Sequence, residues 1–324
     1  MLNIAMVSRW HVHADQYAKE IGETPGVKIA AVWDDDISRG EQWASALGCD
    51  FYEDYDALLA NTEIDGVAVV SSTNLHPQLL MKAANAKKHI YTEKVLAFSK
   101  NDAEKIREAV VKNNIHFTIS LPHKTMAGVL QTKKMVDGGE IGQVTYMRVR
   151  NVHGGSILGW LPDYFYDKTL CGGGAMMDLG AHPMYLLEWF LGTPQKMASA
   201  FTQVTGRGVE DNAVSVMSFE NGAIGVSETG FVSFCDPFTL EISGTKGYIH
   251  VQDGFRYKNE ASNKEWVTEE HLELTLERPI AYWISSILNN TENKLYGIDE
   301  AVALTEFMEA AYRSWEEDKI VPCG

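Results

Sequence analysis

The sequence predicts a doubly wound α/β unit on a parallel sheet, followed by an α+β unit with a large, mostly antiparallel sheet. Three observations carry this. Six short apolar runs alternate with helical patterns over the first 120 residues, which is the rhythm of βαβ units. After about Leu121 that rhythm yields to strand-like runs with turn signals and few helices. At 324 residues the chain is also longer than one ordinary core needs. The expected domains are residues 1–121 and 122–324.

In order, residues 2–7 form a short apolar run that reads as a buried strand. Residues 14–21 read as a helix, ended by Thr24-Pro25-Gly26. Residues 27–33 are a second strand running into Asp34-Asp35-Asp36, and 38–47 a helix with Gly48 as its stop. A strand at 50–52 precedes a helix at 54–60. Residues 66–70 are apolar without a break, as expected of a strand buried on both faces. A helix at 76–86, a strand at 89–92, a helix at 99–113 and a strand at 117–120 close the series. Beyond it come a helix at 125–136, strands at 144–152, 196–204 and 213–219, and a hairpin at Asn221-Gly222. Strands at 238–243 and 248–251 and helices at 280–288 and 300–315 complete the chain; Tyr282 and Trp283 look like core or subunit contact.

A soluble globular composition, 45% hydrophobic and 22% charged, excludes a fibre or a disordered chain. The net charge of -16 argues against nucleic acid or an anionic membrane as partner. Cys49, Cys171, Cys235 and Cys323 are scattered without paired spacing, which suits free thiols in a reducing compartment. No run approaches the ~20 apolar residues of a membrane span, and residues 1–10 lack a basic leader. The expected location is cytoplasmic.

In open parallel sheets ligands bind beyond the carboxyl ends of the strands. That directs attention to residues 8–13, 34–36, 71–76, 93–96 and 121–124. Lys94 stands there, after the fifth strand, where a nearby cationic ring would lower its pKa. A solvated Glu93-Lys94 pair is the plain alternative. In the second domain, Gly172-Gly173-Gly174 allows close backbone approach, and Asp178 and His182, four apart, share one face of a helix. A carboxylate beside an imidazole suits proton transfer; an exposed pair on an amphipathic helix is the alternative. His11-x-His13 invites a metal reading, but no further Cys or His completes a set, so no metal is expected.

Several motifs now stand in order. Glu93-Lys94-Val95 is similar to an E-K-P tripeptide, and Gly172 to His182 matches G-G-G-x-x-x-D-x-G-x-H without a gap. Ser72-Thr73-Asn74-Leu75-His76 looks like a T-P-N-x-x-H loop. Gly138-Gly139-Glu140-Ile141-Gly142 and Gly244-Thr245-Lys246-Gly247 match two further turns. Together they resemble the glucose-fructose oxidoreductase/inositol dehydrogenase (Gfo/Idh/MocA) family of nicotinamide-dependent sugar and polyol oxidoreductases, over essentially the whole chain. The departure is the glycine motif after the first strand. Ser8-Arg9-Trp10-His11-Val12-His13 stands where G-x-G-x-x-G is usual, and an indole at the second glycine should obstruct a pyrophosphate.

The resemblance implies a Rossmann-type NAD(P)-binding first domain and a substrate and oligomerisation domain after it. It makes Lys94, Asp178 and His182 catalytic: His182 exchanges a proton with the substrate hydroxyl, Asp178 holds the imidazole, and Lys94 polarises the reacting oxygen. It puts the cofactor among Ser8, Arg9, Trp10, His11, Asp34, Ser71, Thr73, Asn74, His76, Glu93 and Lys94. NAD is expected over NADP, because Asp34 can accept from ribose hydroxyls and repels a 2′-phosphate. Asp36 caps the next helix. His123, His153, Trp160, Tyr164 and Tyr166 are candidates to face a sugar, each with packing as its alternative. The implied function is oxidation or reduction at a secondary hydroxyl or ketone of a sugar, glycoside or polyol, in a homodimer or homotetramer. Two alternatives stay open: an enzyme that retains NAD while cleaving a glycoside, and an inactive sugar or nucleotide sensor.

Overall fold

The computed structural model describes residues 1–235 and 237–323. One unit comprises Met1–Ser120 and Glu277–Thr305; the other comprises Leu121–Leu276 and the chain from Glu306 onward. The expected division into 1–121 and 122–324 therefore needs correction at its C-terminal end. The helix Pro279–Asn289 presents Ile280, Trp283 and Ile284, which are buried among Ile4, Met6, Tyr17 and Tyr91 of the first unit. An aromatic helix announces burial in sequence without saying against what.

The first unit runs β1 (Leu2–Val7), α1 (Ala14–Gly22), β2 (Val27–Trp33), α2 (Ile37–Leu47), β3 (Asp50–Tyr52), α3 (Tyr55–Ala60), β4 (Gly66–Val69), α4 (His76–Asn85), β5 (His89–Thr92), α5 (Lys100–Asn113) and β6 (Phe117–Ile119). Its sheet has the order β3-β2-β1-β4-β5-β6, and every pairing is parallel. β4 is buried at all four positions, which is why it needs an unbroken apolar run. The chain reverses its direction of travel across the sheet between β1 and β4, so the loops after these strands diverge and open a crevice. The His11 amide donates to the Val70 carbonyl at 3.1 Å and ties the two loops together.

Asp36 caps α2, its carboxylate accepting from the Arg39 amide at 3.0 Å, and Gly48 ends the helix at φ 68°. Asp36→Ala is expected to cost about 1 kcal/mol, read as a fall of about 2–4 °C in the melting temperature. An unchanged melting curve would remove the cap from the account.

The second unit contains α6 (Ala127–Asp137), β7 (Val144–Val152), α7 (Gly155–Leu158), α8 (Lys168–Cys171), a π-helical turn (Met176–Gly180), α9 (Ala181–Leu191), β8 (Pro194–Thr202), β9 (Asn212–Phe219), β10 (Ile224–Gly230), β11 (Thr239–Gly244), β12 (Gly247–Val251), β13 (Phe255–Asn259), β14 (Val267–Glu269) and β15 (Val321–Pro322). These strands form a sheet of order β14-β13-β12-β11-β7-β10-β9-β8-β15. β7 and β10 pair in parallel, and the other pairings are antiparallel. Period-two burial sets the faces: in β9, Ala213, Ser215, Met217 and Phe219 point inward while Val214 and Val216 are exposed. β13, β14 and β15 add to the strands read from the sequence. No helix among the described residues is long and apolar enough to cross a membrane.

Candidate active site

In the first unit, functional candidates gather on the loops after β1, β2, β4 and β5. Ser8 holds φ 66°, so the left-handed turn of a first glycine persists without the glycine. Its hydroxyl donates to Asp35 at 2.9 Å, and the Arg9 amide donates to Asp34 at 2.8 Å. Asp34 is buried and gripped by Arg39, whose Nε lies 3.1 and 3.0 Å from the two carboxylate oxygens. Burial alone would lift the Asp34 pKa. Arg39 and the amides of Asp36 and Arg9 outweigh that and hold it below its ordinary value. Sequence reasoning missed Arg39, although a cation in the first turn of the helix after an acidic strand end was a usable signal. The Arg9 guanidinium pairs with Asp15 at 2.7 Å at the start of α1.

After β5, Glu93 is 1% exposed. Its Oε1 lies 2.7 Å from His13 Nδ1 and 3.8 Å from His11 Nδ1, and it accepts from the Tyr17 hydroxyl. Burial works to raise the Glu93 pKa, but His11, His13 and Lys94 overcome it and keep the carboxyl far below the usual range. His11 and His13 are thus joined by a glutamate some eighty residues away in sequence, the ligand-type atoms of all three lying within 4.8 Å of one another. Lys94 is buried beside it, and the Lys94–Val95 peptide is cis.

The loop after β4 is less uniform. Ser71 is buried with its hydroxyl donating to the Ser72 carbonyl, Thr73 lies in a short 3-10 turn, and Asn74 is exposed and accepts from the Ser72 hydroxyl at 2.6 Å. His76 is wholly enclosed. Its Nδ1 lies 2.9 Å from the Val95 carbonyl, which braces the loop 93–97, and burial pushes its pKa down.

In the second unit, the glycine run is close to the protein's own buried groups. A Cβ on Gly173 would lie 1.8 Å from Tyr312 Oη, and one on Gly174 2.1 Å from the Glu210 carbonyl oxygen. Glu210 Oε1 accepts from the amides of Gly174 (2.7 Å) and Met176 (3.1 Å) and from the Tyr312 hydroxyl (2.6 Å). This anchor sets the chain as it enters the π-helical turn, where Asp178 is half-buried and its amide donates to the Gly174 carbonyl. Such turns often occur at functional sites. Glu210 and Tyr312 carried no local signal.

His182, 6% exposed, opens α9. Its Nδ1 lies 2.9 Å from Tyr185 Oη, which accepts from the His123 amide at 2.9 Å. The His123 ring stacks on His182 with centroids 4.0 Å apart, and Phe238 meets His123 edge-on. A hydroxyl oxygen accepts twice and donates once, so Tyr185 serves either tautomer of His182. That suits an imidazole that takes up and returns a proton. Tyr185 was missed, though its place three residues after His182 on one helix put it within reach.

His153 and Tyr166 contact Phe231, Trp160 packs on His153, and Tyr164 borders the cluster that holds Phe231. His153 stacks on Phe231 at 5.0 Å and packs against Trp160 at 4.6 Å. Tyr164, Tyr166 and Leu179 border the cluster of Leu161, Phe165, Ala175 and Phe231, which joins these aromatics to the turn that carries Asp178.

Residues 5–120 match the family described as "Oxidoreductase family, NAD-binding Rossmann fold", and residues 129–250 the GFO/IDH/MocA C-terminal domain. The chain belongs to the Gfo/Idh/MocA family of oxidoreductases. It is 26% identical over 239 residues to a scyllo-inositol 2-dehydrogenase (NAD(+)) of Bacillus subtilis, covering 71% of this chain and 68% of that one. It is 26% identical over 239 residues to a 2,7-anhydro-N-acetylneuraminate hydratase of Mediterraneibacter gnavus, covering 71% and 62%. The structure superposes on a levoglucosan dehydrogenase solved with NADH at a TM-score of 0.88 and 17% identity, covering 100% of this chain and 99% of the other.

The first unit is this family's NAD-binding Rossmann fold. Asp34 follows β2 at the position where ribose hydroxyls are usually met, but its buried carboxylate is already held by Arg39 and by the Arg9 and Asp36 amides, and the turn at Ser8 is retained. The phosphate end is rebuilt. The amides of Arg9, His11 and His13 donate to Asp34, the Val70 carbonyl and His11 Nδ1, and Ser8, Trp10 and His13 supply side chains where glycines are usual.

Proposed function

We propose that this chain is an NAD-dependent dehydrogenase or reductase acting at a secondary hydroxyl or ketone of a sugar, glycoside or polyol. The observation that carries the reading is His182, a nearly enclosed imidazole oriented through Nδ1 by the Tyr185 hydroxyl. Alcohol oxidation needs one base and a fixed geometry. NAD, when bound, supplies the hydride acceptor. His182 Nε2 takes the hydroxyl proton, Asp178 bonds a neighbouring hydroxyl, and Lys94 polarises the reacting oxygen. NAD is favoured because the three carboxylates Asp34, Asp35 and Asp36 outnumber the one Arg39 that pairs with Asp34 and Asp35, which disfavours a 2′-phosphate. The family match and the names of relatives that act on inositol and levoglucosan support the substrate class.

A titration of the purified protein with NAD and with NADP, followed by tryptophan fluorescence, tests the cofactor, and a panel of inositols, sugars and glycosides tests the substrate. Binding of neither nucleotide would overturn the reading. Lys94→Ala is expected to lower kcat/KM by about 100-fold or more, the scale of losing a group that stabilises developing charge, and wild-type kcat/KM in the variant would remove Lys94 from the reaction.

A second reading is favoured by the relative named a hydratase. In it a retained NAD would supply transient hydride storage, and Lys94, Asp178 and His182 would serve the same roles while the substrate is transformed without net redox change. Cofactor released on denaturing freshly purified protein, with no NADH accumulating during turnover, would select it.

A further inference from the structure

We propose that His11, His13 and Glu93 form a binding site for one divalent transition-metal ion of the zinc class. The three residues each direct a ligand atom into a common space, all within 4.8 Å of one another. His13 Nδ1 and His11 Nδ1 lie 2.7 and 3.8 Å from Glu93 Oε1, values that bracket the roughly 3.3 Å between neighbouring ligands around a tetrahedral zinc with bonds near 2.0–2.1 Å; without metal, His11 Nδ1 accepts from the His13 amide at 3.3 Å, a long bond that a metal ion would displace. Two imidazoles and one carboxylate suit borderline ions such as Zn²⁺ and Co²⁺, whereas Mg²⁺ and Ca²⁺ prefer all-oxygen shells.

The surroundings supply what such a centre requires beyond its ligands. Tyr17 donates to Glu93 and exchanges a hydrogen bond with Ser120 Oγ at 2.8 Å, an outer layer that fixes the carboxylate. The Lys94 amide donates to Glu93 Oε2 at 2.8 Å and holds the other oxygen. The His11 and Glu93 side chains are 7% and 2% exposed, while His13 is 38% exposed and forms the entrance. Metal binding takes the place of the proton that His13 and Glu93 share and releases it to solvent. Three protein ligands leave a fourth position for water or an anionic oxygen. The proposed ligands share the loops after β1 and β5 with the NAD reading, but metal binding is measured without nucleotide, so failure of the one is distinguishable from failure of the other.

The test uses the whole chain, stripped with a chelator and dialysed. Co²⁺ is added while its visible absorption is followed, and Zn²⁺ binding is measured by calorimetry and by metal analysis. The expected result is one ion per chain, with X-ray absorption of the zinc form showing nitrogen and oxygen ligands, two of them imidazoles. His13→Ala and His11→Ala should each weaken Zn²⁺ by more than about 100-fold, beyond the 10–100-fold of outer-layer changes, and Tyr17→Phe by about 10-fold. Circular dichroism of the metal-free variants checks that they fold. Absence of saturable binding, sulfur in the zinc spectrum, or unchanged affinity in a folded His13→Ala would overturn the proposal, and the spectrum of the wild type decides the matter should both histidine variants misfold.

Discussion

His182→Ala is expected to lower kcat by about 10²–10⁴-fold, the range for losing a positioned general acid or base, while NAD affinity stays near wild type. The two effects separate because the imidazole lies in the second unit, on α9, and the cofactor fold is the first unit. Single-turnover measurement of NADH formation reads the chemical step, and fluorescence titration reads binding. Tyr185→Phe adds a sharper version of the same expectation. It keeps the ring and removes only the hydroxyl that meets His182 Nδ1 and accepts from the His123 amide. Turnover should then fall about 10-fold, below the loss from removing the imidazole itself. Wild-type kcat in His182→Ala would transfer the proton to another group, and the assignment of the second unit's chemistry would go with it.

Much of the fold was legible because it follows from local pattern. Apolar runs such as Gly66–Val69 have no use except in a sheet covered on both sides, and the alternation of β9 has no use except in a sheet covered on one. Caps were legible for the same reason, since Asp36 needs only the next turn of chain. What escaped was long-range pairing. Glu93 reads as half of a charged dipeptide, yet its partners His11, His13 and Tyr17 lie on another strand's loop and on α1. Asp34 reads as a free ribose acceptor, yet Arg39 reaches back from α2 to grip it. The helix Pro279–Asn289 reads as core or subunit contact, and only the packed core shows Trp283 against Tyr91. The candidate site follows the same division. Asp178 and His182 were visible from their spacing, whereas the groups that orient the turn and the ring were not.

The glycine run shows where that long-range pairing matters most, and Glu210→Ala is the expected large structural effect. Three buried donors converge on one carboxylate oxygen: the amides of Gly174 and Met176 and the hydroxyl of Tyr312. Each buried polar group left without a partner costs about 1–3 kcal/mol, and the three share one acceptor, so the loss is expected to be about 3 kcal/mol or more. For a unit of this size that is a fall of about 6–12 °C in melting temperature. Glu210→Gln keeps an acceptor oxygen at the same reach and should lose less than half as much. The functional consequence is separable from the stability loss. Asp178 is carried on the turn that begins at Met176, so kcat should fall in Glu210→Ala well below the melting point, with NAD affinity retained in the first unit. Gly174→Ala tests the same anchor from the other side. Its added Cβ would lie 2.1 Å from the Glu210 backbone oxygen, and backbone on both sides leaves no flexible side chain to yield. If Glu210→Ala melted as wild type and turned over as wild type, the convergence on its carboxylate would be packing without consequence, and the glycines would be left without the role that the geometry assigns them.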